Sequence, residues 1–365
     1  MQIKPKQFKI NFMLLIKLFL SVTLSLFVSC KDTGLNGEEN DEQVNEEQVE
    51  RPDDLPGLYV EGRHIYDRCG EEVIIRGVNR MTIVLDFEQD ESGQTVYNPL
   101  ALTEIAKTGA NSVRIMWMMW REAHLVEEAV AHAIELEMIP ILELHDATGK
   151  WDKLDEVVDY WLDELLEIVK TYEENLIVNI ANEAGNHNVT DQQFLDGYTR
   201  AIERMREAGI HTPLMIDAAG WGRAVEQLLR VAPELMKADP HQNLIFSWHP
   251  WDTGDDEAER VTVAMEKSVD EEIPFVIGEF SHTSVGCVGE VPYHHIMAEA
   301  ERMGIGWLAW SWGPGNGDCE TMDMTTDTTF ESLFNWGLET AVTDPNSIQN
   351  TSVRPVSMTA GSCVD

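Results

Sequence analysis

The sequence predicts an α/β chain that folds as a (β/α)8 TIM barrel preceded by a short N-terminal β-hairpin. Short apolar runs alternate with longer amphipathic stretches, and their mean spacing of about 33 residues is the length of one βα unit. Eight such units favour a closed barrel of parallel strands. The eight runs begin near residues 73, 112, 139, 176, 214, 244, 275 and 305.

The composition of the runs and of the stretches between them supports this fold. Runs such as Ile177-Val178-Asn179-Ile180 are almost continuously apolar, as strands buried on both faces are. Apolar residues at three- and four-residue steps predict helices over 155–166, 191–206 and 255–267. A doubly wound open sheet is the alternative. Residues 76–80, however, lack the glycine-rich loop that such a sheet normally carries after its first strand.

The first 29 residues have the composition of an export signal. Three lysines lie among the first nine residues, and residues 18–28 form an apolar stretch that is too short to span a bilayer. The stretch runs into Cys30 and resembles a lipoprotein box, with Phe27 where leucine is usual. We therefore expect a lipoprotein-type signal peptide over 1–29, a lipidated Cys30, and an outer-membrane or cell-surface location. A secreted, soluble protein with an ordinary signal peptide is the alternative.

Three further segments follow the signal. Residues 30–55 are acidic and almost free of large apolar side chains, so we expect a disordered tether. The (β/α)8 domain with the candidate catalytic residues is expected over 56–345, and a tail packed on the barrel over 346–365. The domain begins with the hairpin, in which apolar residues 58–60 and 64–66 flank a turn at Glu61-Gly62.

Charge and composition restrict the partners. The formal net charge is −39, so nucleic acid, which needs a basic face, is excluded and an acidic glycan would be repelled. Much of this acidity is explained by solubility alone. A neutral substrate fits best, and we expect a monomer that touches a membrane only through its N-terminal lipid anchor.

The cysteine count suggests two disulfides. Apart from Cys30 there are four cysteines, an even number in an exported chain, and no CxxC spacing that would indicate a metal site. Cys287 and Cys319 follow predicted strands seven and eight, so both lie on one face of the barrel. Cys69 precedes strand one on the opposite face, where the tail with Cys363 should return. We therefore expect the pairs Cys287–Cys319 and Cys69–Cys363; four free thiols are the alternative.

Polar and aromatic residues gather at the carboxyl ends of the predicted strands, where barrels of this class place their active sites. In strand order, these ends carry Asn79-Arg80, Arg114 with Trp117, Glu143 to Asp146, Asn182-Glu183, Asp217 with Trp221, Trp248 to Trp251, Gly278-Glu279, and Trp307, Trp310 and Trp312.

Two carboxylates in this set, Glu183 and Glu279, should face each other across the barrel mouth. Glycoside hydrolysis requires such a pair, because one carboxyl group protonates the leaving oxygen while the other attacks the sugar or activates a water. Arg114 is the cation expected to keep Glu279 ionised, and His249 can hydrogen-bond near the acid. The tryptophans suit the apolar faces of sugar rings.

Over roughly residues 57–345, the sequence resembles glycoside hydrolase family 5, in its bacterial endo-β-1,4-mannanase branch. The resemblance implies that Glu183 is the acid/base and Glu279 the nucleophile of a retaining enzyme without cofactor or metal, acting on a neutral β-1,4-linked polysaccharide such as mannan, glucomannan or galactomannan. The residues that it implies for the substrate site are Arg114, His145, Asn182, His249 and Trp310. Trp221 and Trp251, at the ends of predicted strands five and six, are also expected to bind the substrate. The segments that carry the resemblance are 73–79, 106–115, 142–149, 177–183, 217–222, 277–280 and 306–312.

Three positions depart from the branch. Pro250-Trp251 stands where Met-Tyr is usual after the histidine, Ala184 where tryptophan is usual, and Arg80 where histidine is common. Another β-1,4-glycanase of the same family, such as an endoglucanase, is therefore an alternative. A non-catalytic surface glycan-binding protein is a further one, although the presence of both glutamates argues against it.

Overall fold

The protein is described from a computed structural model, which covers residues 55–360 and Cys363. The predicted signal peptide, the lipidation site Cys30 and all but the last residue of the predicted tether lie outside the described residues. That last residue, Leu55, is buried.

The fold is a closed barrel of eight parallel strands with three short two-stranded sheets outside it. The barrel strands are β3, β6, β7, β8, β9, β10, β11 and β14; they pair in chain order, and β14 closes on β3. The strands are β1 (Tyr59–Glu61), β2 (His64–Tyr66), β3 (Arg76–Arg80), β4 (Phe87–Gln89), β5 (Thr95–Tyr97), β6 (Ser112–Trp117), β7 (Ile139–Leu144), β8 (Ile177–Asn179), β9 (Leu214–Asp217), β10 (Leu244–Trp248), β11 (Phe275–Ile277), β12 (Thr283–Ser284), β13 (Val288–Glu290) and β14 (Gly306–Ala309). This architecture confirms the predicted (β/α)8 fold.

Barrel strands two to eight begin within one residue of their predicted starts, whereas the first begins at Arg76 rather than near Val73. The reason is the hairpin: the Val73 amide donates to the Ile65 carbonyl at 2.7 Å, so this part of the run pairs with β2 instead of entering the barrel. The hairpin turn also differs by one residue from the expected one, because Glu61 pairs with His64 and leaves Gly62 in the turn with φ 55°.

The hairpin closes the amino-terminal end of the barrel. Leu58, Val60 and Ile65 are buried in one apolar cluster with the first residues of the barrel strands, such as Ile139 and Ile177. The opposite end, at the carboxyl termini of the strands, is thereby left for the site.

Helices cover the outside of the barrel. The predicted helix over 155–166 runs through α4 (Leu154–Tyr160), a π-helical turn at Trp161–Leu165 and α5 (Leu166–Thr171). Thr190 caps α6 (Asp191–Glu207) with Gln193 in a reciprocal capping box. None of the helices among residues 55–360 is long and apolar enough to cross a membrane. The helices are α1 (Thr82–Leu85), α2 (Leu100–Ala106), α3 (His124–Glu135), α4 (Leu154–Tyr160), α5 (Leu166–Thr171), α6 (Asp191–Glu207), α7 (Val225–Ala238), α8 (Glu257–Asp270), α9 (Tyr293–Met303), α10 (Asn335–Leu338), α11 (Ile348–Thr351) and α12 (Val356–Thr359).

The described part of the C-terminal segment lies against the amino-terminal end of the barrel. Asn111, directly before β6, donates through Nδ2 to the Val353 carbonyl at 2.9 Å. Arg354 donates to the Leu136 and Ala106 carbonyls at 2.6 and 2.9 Å. Cys363 forms a disulfide with Cys69, with a Cα–Cα distance of 5.2 Å. This pair is the one expected from the strand order.

Candidate active site

Arg114 is the centre of a polar network at the carboxyl end of the barrel. It projects from β6, is fully buried, and donates through Nη1 to Glu279 Oε1 at 2.8 Å. Its Nη2 donates to Asn182 Oδ1 at 2.6 Å and to Asp217 Oδ2 at 3.1 Å. Burial alone would lower the pKa of Arg114, but the neighbouring carboxylates, Glu143 first, outweigh it and raise the pKa. The guanidinium is therefore a fixed positive charge against Glu279.

Glu183 follows β8 in a strained backbone conformation. Its φ is 48°, in the left-handed region that non-glycine residues rarely occupy, and strain of this kind gathers at functional sites. The Glu183 amide donates to Asp217 Oδ2 at 3.2 Å, which holds the turn. Gly222 lies against the carboxylate so closely that a Cβ there would be 2.6 Å from Glu183 Oε1 and 2.7 Å from His249 Nδ1. The close approach therefore requires glycine.

His249 joins the two glutamates. Its Nδ1 lies 2.8 Å from Glu183 Oε1 and 3.4 Å from Glu279 Oε2, and the ring is fully buried. Atoms of the three groups, one from each, lie within 4.8 Å of one another. The two glutamates therefore share one small space, as the sequence led us to expect.

Burial and mutual charge shift the pKa values in this cluster. Burial alone would lower the pKa of His249, but Glu279, Asp217 and Glu183 outweigh it and raise the pKa to about 9. Burial raises the pKa of Glu279 to about 7; Glu183 adds to the rise, while His249, Arg114 and His145 oppose it. The cluster can therefore exchange protons near neutral pH.

His145 forms one wall of the site. Its Nδ1 lies 2.9 Å from Glu143 Oε1, and its ring is stacked on Trp310 with centroids 6.2 Å apart. Burial would lower the pKa of His145, but Glu143 outweighs it and raises the pKa. Glu143 is fully buried, so its carboxylate orients the imidazole toward the stacked indole. The Trp310 indole Nε1 in turn donates to Asn316 Oδ1 at 2.9 Å.

These groups open into a cavity of about 640 Å³ at the barrel mouth. Seven of the residues predicted for the site line it, while Arg114 and His249 lie buried beneath. Trp221 is 42% exposed at the rim, whereas Trp251 is 2% exposed and packs with Cys319, Met322 and Trp310. The seven are His145, Asn182, Glu183, Trp221, Trp251, Glu279 and Trp310.

Some of the polar and aromatic residues at the carboxyl ends of the strands do not reach the cavity. Trp307 is buried between Phe280, whose ring centroid lies 5.6 Å away, and the Arg76 guanidinium. Trp312 is also buried and donates to the Thr328 carbonyl. Trp307 lies within β14, whereas Trp310 and Trp312 follow the end of that strand at Ala309, so the path of the chain there decides which of the two faces the site.

Arg80 ends β3 at the barrel mouth, as expected, but its side chain does not line the cavity. Its guanidinium is buried in an ion pair with Asp86 at 2.6 Å and donates to the Trp312 carbonyl at 2.7 Å. Ala184 is buried too and forms a β-bridge with Thr148. Of the three departures, only the one at Trp251 contributes a side chain to the cavity lining.

The cavity wall, and the layer of residues behind it, also include side chains that were not predicted for the site. Thr148 accepts from Asn182 Nδ2 at 2.8 Å, and Asn179 accepts from Arg114 Nε at 2.8 Å. Asn179 could have been noticed, because a polar side chain inside an apolar strand needs a partner. His187 and Arg223, from loops, line the rim without any signal in the sequence.

The second disulfide holds two loops of the cavity wall. Cys287 and Cys319 are bonded, with a Cα–Cα distance of 5.3 Å, as expected from the strand order. Val285 and Gly286 on one side of the bridge and Asp318 on the other line the cavity.

Comparison with known proteins agrees with this geometry. The family model for Cellulase (glycosyl hydrolase family 5) matches residues 71–316. The chain is similar to a mannan endo-1,4-beta-mannosidase of Salipaludibacillus agaradhaerens, at 32% identity over 292 residues, 77% of this chain and 89% of that protein. It is also similar to a mannan endo-1,4-beta-mannosidase of Cellvibrio japonicus, at 32% identity over 84% of this chain and 72% of that protein.

A solved structure is similar over the whole barrel. The beta-mannanase from Thermomonospora fusca superposes with a TM-score of 0.74 at 29% identity, covering 83% of this chain and 100% of that one. With a matching family model over most of the barrel and relatives above 30% identity, the chain belongs to glycosyl hydrolase family 5.

Proposed function

We propose that this protein is a retaining endo-β-1,4-mannanase that cleaves mannan, glucomannan or galactomannan. The observation that carries the proposal is the pairing of Glu183 and Glu279 at the ends of β8 and β11, with an oxygen of each within 4.8 Å. Retaining glycosidases hold their carboxyl groups about 5–5.5 Å apart, whereas inverting ones leave about 6.5–9.5 Å for a water. The short spacing supports retention.

In the first chemical step, Glu279 attacks the anomeric carbon and Glu183 transfers its proton to the glycosidic oxygen, so that the leaving sugar departs as an alcohol. Arg114, 2.8 Å from Glu279, stabilises the ionised carboxylate before the attack. In the second step, Glu183 takes a proton from water, the water oxygen bonds to the anomeric carbon, and the bond to Glu279 breaks. Two inversions give net retention.

Two other side chains are suited to hold the sugar in the reacting position. Asn182 is fixed by Arg114 and Thr148, so its amide can meet a hydroxyl beside the reacting carbon. Trp310, stacked on His145, offers a flat apolar floor for the ring. Preorganised groups of this kind lose little entropy when the substrate binds.

The substrate is inferred from the relatives and from the charge. The similar proteins of Salipaludibacillus, Cellvibrio and Streptomyces lividans are all described as mannan endo-1,4-beta-mannosidases. A net charge of −39 disfavours acidic polysaccharides, and mannans are neutral. An endoglucanase activity has one specific observation in its favour, which is the Trp251 indole in the cavity wall in place of the usual phenol.

A substrate panel tests the proposal. We expect reducing ends to be released fastest from linear mannan and glucomannan, and more slowly or not at all from carboxymethylcellulose. Faster release from carboxymethylcellulose would favour the endoglucanase. Binding to mannan without any release, by a protein with the native melting temperature, would favour a glycan-binding role and contradict the enzyme proposal.

We also propose that the protein is exported and anchored by lipid at Cys30. The two disulfides suit an oxidising compartment, and the apolar segment before Cys30 is followed by an acidic stretch of sequence. A Cys30→Ser variant should leave the membrane fraction with unchanged activity, because each buried CH₂ of a lipid chain contributes about 0.8 kcal/mol to anchoring. Fractionation and immunoblotting measure this; a variant that still sediments with membranes would contradict the anchor.

A further inference from the structure

Trp120 is an exposed indole on the catalytic face of the barrel that the proposed reaction does not use. It lies three residues beyond the end of β6, is 60% exposed, and is absent from the cavity lining. Trp221 is the only other tryptophan, tyrosine or phenylalanine with a large exposed area among residues 55–360, and that side chain does line the cavity. An exposed indole on a catalytic face therefore needs an explanation.

The indole is held in place by Arg121. The Arg121 guanidinium lies 5.0 Å from the Trp120 ring centroid and 4.9 Å from that of Phe87, so it stacks with both rings. Phe87 packs in turn on the buried Trp117, with centroids 5.6 Å apart. The Arg121 carbonyl accepts from Tyr160 Oη at 3.1 Å, which fixes the backbone. The exposed ring is therefore supported by the barrel.

Arg121 also has unused hydrogen-bonding capacity. Its Nε is buried without a hydrogen-bond partner, and no carboxylate among residues 55–360 lies within ion-pair distance of its guanidinium. Because Nε is buried, hydrogen bonds to a bound ligand would come from the Nη groups of Arg121.

This pair of side chains is linked to the catalytic cavity. The Met119 amide, next to Trp120, donates to Asp146 Oδ2 at 2.9 Å. Asp146 directly follows His145, which lines the cavity and stacks on Trp310. The loop that carries Trp120 is therefore tied to the segment that carries His145.

We propose that Trp120 and Arg121 form a sugar-binding platform that holds a mannan chain beyond the catalytic cavity. The indole contacts the apolar face of a sugar ring, while the guanidinium donates to sugar hydroxyls. The occupant is a neutral polysaccharide, because the charge of the protein repels acidic ones. This inference rests on the proposed function, since it assigns the platform to the same polymer.

The test compares a long substrate with a short one. For each variant, kcat/KM is measured on soluble linear mannan and on mannotetraose, and the ratio of the two is compared with that of the parent protein. Trp120→Ala should lower the ratio roughly three- to tenfold. Arg121→Met, which keeps the aliphatic stem, should lower the ratio less than Trp120→Ala does. Trp120→Tyr, which keeps an aromatic ring, should have most of the parent's ratio.

Val353→Ala is the matched control. Val353 is 74% exposed, but it lies at the amino-terminal end of the barrel beside Asn111. The ratio of the two kcat/KM values for Val353→Ala should therefore equal that of the parent protein. Unchanged ratios in Trp120→Ala and Arg121→Met, with mannan still cleaved, would overturn the platform alone. A parent protein that cleaves neither mannan substrate would overturn the proposed function and the platform with it.

Discussion

Replacing Glu279 by alanine separates the two proposed catalytic roles. The variant removes the carboxylate that would bond to the sugar, but it leaves Arg114, which lies 2.8 Å from Glu279 Oε1, and His249 in place. A covalent step of this kind is expected to contribute on the order of 10³-fold or more to turnover. That factor corresponds to about 4 kcal/mol of transition-state stabilisation.

The space that the variant opens can admit a small anion. Azide, attracted by the Arg114 guanidinium, would attack the anomeric carbon from the side that Glu279 occupied. With an activated aryl β-mannoside as substrate, the product should therefore be an α-mannosyl azide, of inverted configuration. Glu183→Ala should instead yield the β-azide, because the covalent intermediate with Glu279 still forms. NMR of the product distinguishes the two configurations.

Glu279→Gln is the matched control for this experiment. It removes the same charge but fills the same space, so azide should restore no activity. Near-parental turnover in Glu279→Ala, or a β-azide from it, would refute the assignment of Glu279 as the nucleophile. Melting temperatures of the variants exclude loss of the fold as the cause.

Three other perturbations follow from the same network. Arg114→Met leaves buried carboxylates unpaired and should lower the free energy of unfolding by about 3–5 kcal/mol in urea denaturation at pH 7; a stability equal to that of the parent would contradict the network. The pH profile of kcat/KM should rise as Glu279 loses its proton through about pH 7, because the nucleophile must be ionised, whereas an optimum below pH 5 would be inconsistent with this pKa. Gly222→Ala should lower kcat about 10- to 100-fold, because its Cβ would lie 2.6 Å from Glu183 Oε1 and displace the acid; a kcat equal to the parent's would show that the site can adjust.

The barrel could be predicted from the sequence because its strands are buried on both faces. Such strands are continuous apolar runs, so their starts were correct to one residue in every case but the first. The apolar run that begins at Val73 first pairs with β2 of the hairpin and then, as β3, pairs with β6 in the barrel. The composition of the run does not show at which residue one partner gives way to the other. Long-range pairing is not a property of the local sequence.

The aromatic residues after β14 show the same limit at the site. Trp307, Trp310 and Trp312 are equivalent in the sequence, yet only Trp310 lines the cavity. Which of them faces the substrate depends on the path of the chain beyond the strand end, where strand alternation stops. Arg80 is a similar case, because its partner Asp86 could not be recognised before the loop was folded.

By itself, the sequence determined the fold class, the two strand ends that carry Glu183 and Glu279, and the family, because these depend on local runs and on motifs in order. It also determined the disulfide pairs, because strand order places each cysteine at one end of the barrel. The sequence also predicted Arg114 beside Glu279 and His249 near the acid. Only the tertiary structure decided that Arg114 also contacts Asn182 and Asp217, that His249 reaches both glutamates, and that Trp120 rests on Arg121. These contacts join residues from separate strands and loops, and a distance of 2.8 Å between such groups exists only after the barrel has closed.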